Sequence, residues 1–352
     1  MSVNLAIKYE SRLDERFHQR SLTEPFVGRN YTWEGANAIK VWTLESAELN
    51  DYDSTAAANR FGTPSEVDDE LNVYTLKQKR SFSKVFDATH VQDQMFSKQS
   101  SSYLKQMWDE RYVPEIDTYR LAVWANGAGL GKVGQPLDKT TVMEAILNAH
   151  AALDEANVPQ EHRVTFVRSD IAVKCKLATE LANSPNWIDK SIVSGKIAEI
   201  NGSAVVSVPS IRMPKGVEFM VKYKNSSADP MRMRMLRANS DAPGYAGTLM
   251  EGLCRYDAFV LAQKADGIYV YSTTGAEAPV ITQSGNQVSI AVAEGTSVKY
   301  TTDGTNPKVS ESAKTYAGSI VIESDTKIRA YAEKEGVTNS AIASFDAVYS
   351  GS

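Results

Sequence analysis

The composition of the chain breaks once, near residue 274. All ten Met, all five Trp, all four His and both Cys lie before Thr274, and residues 276–352 contain no Leu. A shift of this kind in the apolar vocabulary marks a boundary between separately built cores. Beyond it the chain is rich in Ser, Thr, Val, Ile, Ala and Gly. Alternating runs such as Val288-Ser289-Ile290-Ala291-Val292 and Ile328-Arg329-Ala330-Tyr331-Ala332 are separated by the turn pairs Asp303-Gly304 and Asn306-Pro307. Period-two alternation between turn residues specifies half-buried strands, so residues 279–352 read as an all-β sandwich. The joint at residues 274–278, within Ser272-Thr273-Thr274-Gly275-Ala276-Glu277-Ala278-Pro279, is small and polar and is closed by a proline, the composition of an exposed linker.

Residues 1–273 divide less sharply. Residues 1–38 hold no sustained period and read as an extended arm containing Trp33. Two strand-like runs follow, Ala38-Ile39-Lys40-Val41-Trp42-Thr43-Leu44 and Leu71-Asn72-Val73-Tyr74-Thr75-Leu76-Lys77, joined by a long polar stretch. An isolated ribbon of this kind is marginal in water, so its support is expected from outside the monomer. From about Gln92 to Asn126 apolar residues recur at helical spacing, with Pro114 set to kink or split the helix. A second helix, about Thr141 to Asn157, carries Thr141 and Glu144 as a capping-box pair. A strand at Val164–Val167, a helix from Asp170, a hairpin through Asn201-Gly202, and strands at Val217–Tyr223, Met231–Leu236, Leu253–Leu261 and Ile268–Tyr271 complete the pattern. Helices mixed with hairpins, without regular alternation of strand and helix, indicate α+β.

Charge and motifs narrow the function. Hydrophobic residues are 42% and charged residues 23%, which excludes a disordered or collagenous chain, and no stretch approaches the ~20 apolar residues that span a bilayer. A net charge of -5 speaks against sequence-specific duplex binding, which needs a basic face. Two cysteines cannot form a disulfide framework and fit a reducing cytoplasm. Gly129-Leu130-Gly131-Lys132-Val133-Gly134 spells a dinucleotide fingerprint, but a helical stretch precedes it where a strand is required, so it reads as a loop between elements. His18, His90, His150 and His162 stand apart, without metal-ligand spacing. Cys175 and Cys254 fit buried positions better than nucleophilic ones. No catalytic constellation, cofactor site or metal site is expected.

Contacts between copies are the remaining use for the charged strings. Met231-Arg232-Met233-Arg234-Met235 puts Arg232 and Arg234 on one side of a strand, available to a neighbour's carboxylates. Lys77, Lys79 and Arg80 give the second ribbon region a basic character opposite the acidic run Asp68-Asp69-Glu70. With Trp33 and Trp42, these are the candidate intersubunit residues.

The ordered strings Asn30-Tyr31-Thr32-Trp33-Glu34-Gly35-Ala36, Ile39-Lys40-Val41-Trp42, Gly62-Thr63-Pro64-Ser65-Glu66-Val67, Tyr103-Leu104-Lys105, Pro114-Glu115-Ile116-Asp117 and Arg255-Tyr256-Asp257-Ala258-Phe259-Val260 resemble the major capsid proteins of tailed bacteriophages. That family has the Hong Kong ninety-seven-type shell fold, and the resemblance spans residues 1–273. It implies an N-terminal arm over 1–38, an extended β-hairpin loop over 39–85, a spine helix over 90–125, and peripheral and axial domains in the remainder. It further implies hexamers and pentamers closing an icosahedral shell around packaged double-stranded DNA, contacted non-specifically. A portal is implied as partner, as is a separate scaffolding protein, since the chain enters the arm almost at Met1. The location implied is the virion capsid, after synthesis in the host bacterial cytoplasm.

Val298-Lys299-Tyr300-Thr301-Thr302-Asp303-Gly304-Thr305-Asn306-Pro307, Tyr316-Ala317-Gly318-Ser319-Ile320 and Lys327-Ile328-Arg329-Ala330-Tyr331-Ala332 resemble the immunoglobulin-like C-terminal domain of chitobiases and hexosaminidases. On a capsid subunit such a sandwich is expected to project outward as a decoration. Contact with host-surface or mucosal glycans would rely on Tyr300, Tyr316 and Tyr331 as stacking rings. Two other readings stand beside the capsid: a carbohydrate-binding or carbohydrate-active protein, and an encapsulin-type compartment shell.

Overall fold

The computed structural model describes residues 21–35, 37–44, 51–52, 54–55, 59–61, 69–87, 103, 106–178, 196–239, 244 and 247–350, with backbone only at 43–44, 69–70, 87, 196–199, 233–236 and 238. The chain is α+β. At its centre lies a six-stranded mixed sheet in the order Leu130–Val133, Ile268–Ser272, Val217–Tyr223, Arg163–Arg168, Ser203–Val208, Lys196–Ile200. Its inner strands Val217–Tyr223, Arg163–Arg168 and Ile268–Ser272 are buried at nearly every position because both faces are covered. One face packs Val164, Phe166, Met220 and Ile268 against Leu121 and Trp124 of the helix Val113–Gly127. The other packs Phe219, Val221 and Tyr271 against the helices Val142–Glu155 and Ser169–Leu177, through Ile146, Leu153, Ile171 and Cys175.

Local chemistry sets several elements as the residues dictate and changes others. Asn201 and Gly202 both have positive φ, 48° and 72°, and close the hairpin between Lys196–Ile200 and Ser203–Val208 with the mirror-image turn such strands favour. Pro114 does not end the central helix. A π-helical stretch, Trp108–Tyr112, runs directly into Val113–Gly127, the Val113 amide donating to the Trp108 carbonyl, and Pro114 stands in the first turn of Val113–Gly127, where proline is tolerated. The expected spine helix over 90–125 is described only at 103 and from 106 onward; its other residues lie outside the described set. The capping box at Thr141 and Glu144 is not made. Asp138 opens the helix one turn earlier instead: its Oδ1 accepts from the Thr140 hydroxyl at 2.6 Å and from the Thr140 and Thr141 amides at 2.7 and 3.1 Å, and those bonds, the hydroxyl's first, hold its carboxyl down at about 2. The run expected as one strand, Leu253–Leu261, is broken at Asp257. Its carboxylate accepts from the Lys77 amide at 2.7 Å, the Tyr119 hydroxyl at 2.7 Å and the Ala258 amide at 2.8 Å, so the strand Gly247–Tyr256 ends there.

The glycine motif is neither a cofactor loop nor a loop at all. Leu130–Val133 is an edge strand, parallel to Ile268–Ser272. A Cβ on Gly131 would stand 2.7 Å from the Val270 carbonyl oxygen, so the glycine serves close approach of two backbones rather than of a backbone to phosphate.

Residues 21–29, part of the expected arm, pack into the core. Asp117, fully buried on the central helix, accepts from the Ser21 hydroxyl at 2.7 Å, the Leu22 amide at 3.0 Å, the Thr23 hydroxyl at 2.6 Å and Arg212 at 3.2 Å. Asp229 takes the Trp124 indole N–H at 2.9 Å and the Gly28 amide at 3.3 Å. Lys222, its ammonium 4.4 Å from the Trp124 ring centroid, donates to the Phe26 and Lys224 carbonyls. A buried charge is tolerated only with such a full set of partners, so these three residues fix the path of the incoming chain.

On the buried face of the Val142–Glu155 helix lies His150, 1% exposed, its Nε2 3.4 Å from Thr165 Oγ1 and its Nδ1 without a hydrogen-bond partner. Burial, with Arg163 nearby, lowers its pKa from 6.5 to about 4. The unfolded chain therefore binds a proton that the folded chain refuses between those values. Stability is expected to fall by about 3 kcal/mol as pH drops from about 6.5 to 4. Thermal melts of the parent and His150→Leu across this window check the expectation: the variant should lose much of the slope, and equal slopes would contradict it.

After Ser272 the chain forms two further sheets, one of Val280–Ser284, Gln287–Ala291 and Ile320–Val321, the other of Lys314–Thr315, Ser297–Thr301, Thr326–Glu333 and Ala343–Ala347. They share a core of small and β-branched side chains, among them Val288, Ile290, Val298, Ile328 and Ala330. Residues 274–278 are not a free linker. Ala276 is 4% exposed and its amide donates to the Thr338 carbonyl at 2.9 Å, while the preceding Thr273 amide donates to Gly216 at 2.8 Å.

Candidate self-assembly surface

The ribbon is real but short in its described part. Ala38–Leu44 pairs antiparallel with Asp69–Thr75, and a third strand, Thr32–Glu34, pairs on the other side. Because strand side chains alternate, Ile39 and Val41 turn inward onto Ala228, Leu261 and Leu76. Trp42, Leu71 and Val73 then share the outward face, with Trp42 opposite Leu71 and 61%, 37% and 50% of their surfaces exposed. Large apolar side chains grouped on one sheet face without a cover mark an interaction site. Between the strands, Tyr52 and Phe61 are exposed and their rings lie 5.0 Å apart.

A second sheet, Met231–Asn239, Gly247–Tyr256 and Gln78–Asp87, lies beside the central helix. Met250, Gly252, Cys254 and Tyr256 are buried, and Cys254 and Tyr256 pack on Tyr112 and Ile116. The opposite face carries the intervening residues. There Lys79 stands across from Arg255, and Arg255 across from Arg232, three cations abreast. Like charges directly opposite on neighbouring strands repel, and the buried Arg255 Nε has no hydrogen-bond partner.

The structure distributes the sequence-derived candidates unevenly. Trp33 and Arg232 are brought together within the chain, the guanidinium carbon 5.6 Å from the ring centroid, with Tyr31 edge-on to the same indole at 5.9 Å. Arg80 is paired within the chain, with Glu115 at 2.5 Å, and Tyr256 donates to the same carboxylate at 2.8 Å. Lys77 and Lys79 are exposed. Asp69 and Glu70 begin their strand opposite Leu44 and Thr43, Arg234 falls at the irregularity between Met233 and Met235, and Asp68 lies outside the described residues. Leu71 and Val73 escaped sequence reading, although their alternation with Asn72 and Tyr74 was the available signal.

Among the described residues no three His, Cys, Asp or Glu side chains gather as a metal site, and no helix is long and apolar enough to cross a membrane. Both thiols are buried, and burial pushes Cys175 up to about 12 and Cys254 to about 11, away from nucleophilic character. The three tyrosines expected as glycan-stacking rings are committed elsewhere. Tyr300 and Tyr316 pack edge-to-face at 6.1 Å against the C-terminal core, the Tyr316 hydroxyl accepts the Ile290 amide, and Tyr331 is 4% exposed.

Residues 268–344 match the family model of the chitobiase/beta-hexosaminidase C-terminal domain. No curated protein matches the chain. Among solved structures, one from Mycobacterium phage Che8 is 18% identical with a TM-score of 0.60, covering 78% of this chain and 100% of that one. The capsid of cyanophage P-SCSP1u is 13% identical with a TM-score of 0.56, covering 76% and 93%. The mature capsid of bacteriophage PhiM1 is 12% identical with a TM-score of 0.53, covering 76% and 91%. The chain thus has the fold of phage capsid structures, followed by an immunoglobulin-like unit.

Proposed function

We propose that this chain is the major capsid protein of a tailed phage, a subunit that assembles with copies of itself into hexamers and pentamers of a closed icosahedral shell around double-stranded DNA. The observation that carries the reading is the exposed apolar face of Trp42, Leu71 and Val73 on a ribbon, within a body whose fold matches nearly the full length of phage capsid structures. In this reading residues 1–273 form the shell domain and 279–352 a unit on its outer surface. Trp42 and its neighbours cover an adjacent subunit, burying apolar area as oligomer interfaces do. The cation row Lys79, Arg255 and Arg232 receives carboxylates of a neighbouring copy, for which the run Asp68-Asp69-Glu70 is the matching charge. The net charge of -5 suits a lining that must not grip DNA moving inward. A separate scaffolding protein and a portal complete the partner set.

The test is expression of the full chain with and without the scaffold candidates encoded beside it, followed by analysis of what purified particles contain. Closed shells that take up nuclease-protected DNA in the presence of packaging components are expected. Shells loaded with a cargo enzyme and never with DNA would replace the phage reading by a compartment shell.

A further inference from the structure

The last turn of a helix leaves carbonyls without partners inside the helix, and they must find donors elsewhere. At the end of the central helix those donors come from the C-terminal two-sheet unit. Lys308 donates its ammonium to the Asn126 carbonyl at 2.9 Å and the Ala128 carbonyl at 2.6 Å. The Ile342 amide donates to the Gly129 carbonyl at 2.8 Å, and the Asn339 amide to the Asn126 side chain at 3.2 Å. The adjoining 262–266 turn is held from the same side: Asn306 donates to the Ala262 carbonyl at 3.1 Å, and Arg329 pairs with Asp266 at 3.1 Å.

We infer that the C-terminal unit carries a specific interaction surface, Asn306, Lys308 and Arg329, whose partners are the end of the central helix and the adjoining 262–266 turn in the same chain, so that the unit is a fixed brace of the larger body rather than a tethered appendage. This inference does not rest on the capsid reading. A basic side chain at a helix C-terminus satisfies open carbonyls and faces the negative end of the helix dipole. Asn306 is 4% exposed, so the contact excludes water over part of its area, and a donor removed there leaves a buried carbonyl unpaired.

Tyr331, with its ring 5.4 Å from the Lys308 ammonium, and Asp266 are the titratable groups that face it. Burial pushes the Lys308 amine down to about 7, with Asp266 opposing. The released amine titrates near 10.5, so the docked form binds fewer protons between those values and docking strengthens as pH rises through them. A neutral amine still has two N–H donors for two carbonyls.

The test is hydrogen exchange on the full chain. Lys308→Met keeps the apolar stem and removes the donors; it is expected to speed exchange of amides 123–129 by about tenfold or more, with the strand Thr326–Glu333 unchanged. Unchanged exchange at 123–129 overturns the inference. Should Lys308→Met also loosen Thr326–Glu333, the decision passes to Asp266→Ala, which alters only the larger body. Faster exchange at 123–129 in that variant supports the brace, and unchanged exchange overturns it.

Discussion

Trp42→Ala is expected to abolish or severely weaken assembly while the monomer melts within about 0.5 kcal/mol of the parent. The indole is 61% exposed, so the fold gains little from it, whereas an interface that covers it gains the burial of the largest apolar side chain available. Loss of such an anchor costs about 2–4 kcal/mol per contact, and a shell repeats the loss at every subunit. Sedimentation and thermal melts run on the same preparation separate the two effects. A monomer that melts early would make Trp42 an ordinary core residue and remove the ribbon from the assembly argument.

The second large effect lies in the buried anchor of residues 21–29. Asp117→Ala removes a carboxylate that holds Ser21, Leu22, Thr23 and Arg212 together, and it leaves the Arg212 guanidinium without its ion-pair partner. The expected cost is about 3–5 kcal/mol of folding stability, read from denaturant unfolding with an unchanged slope. A loss below about 1 kcal/mol would mean that water replaces the carboxylate and that the segment is held by its other contacts, the burial of Leu22 and Val27 and the bonds to Asp229 and Lys222.

What the sequence discloses follows from the range of the interactions involved. The Asn201-Gly202 hairpin and the helix near 142–155 depend on neighbours a few residues away, and their spacing states them directly. The glycine string misleads because close backbone approach needs the same residues whether a phosphate or a strand is the neighbour. Thr141 with Glu144 matches the capping pattern, yet it is Asp138, three residues before Thr141, that takes amides, those of Thr140 and Thr141. The pairing of Asp117 with Ser21 or of Trp124 with Asp229 spans about a hundred residues, and no period announces it. The available signal was an acid and a base, Asp117 and Arg120, set among Ile116, Leu121 and Trp124 on an otherwise buried stretch. At the surface, Trp42 was legible as an aromatic in an unsupported ribbon. The pairing of Arg80 with Glu115 was not, because the two lie 35 residues apart in the chain. The docking of the C-terminal unit was likewise hidden, since a small, polar joint looks the same whether it swings freely or is pinned at Ala276.

Sedimentation velocity of the purified full chain, with negative-stain microscopy of each boundary and with scaffold candidates present and absent, tests the self-assembly claim most directly. Capsomer rings or closed shells are the predicted result. A chain that stays monomeric under every condition, with its Trp42 face uncovered, would contradict it.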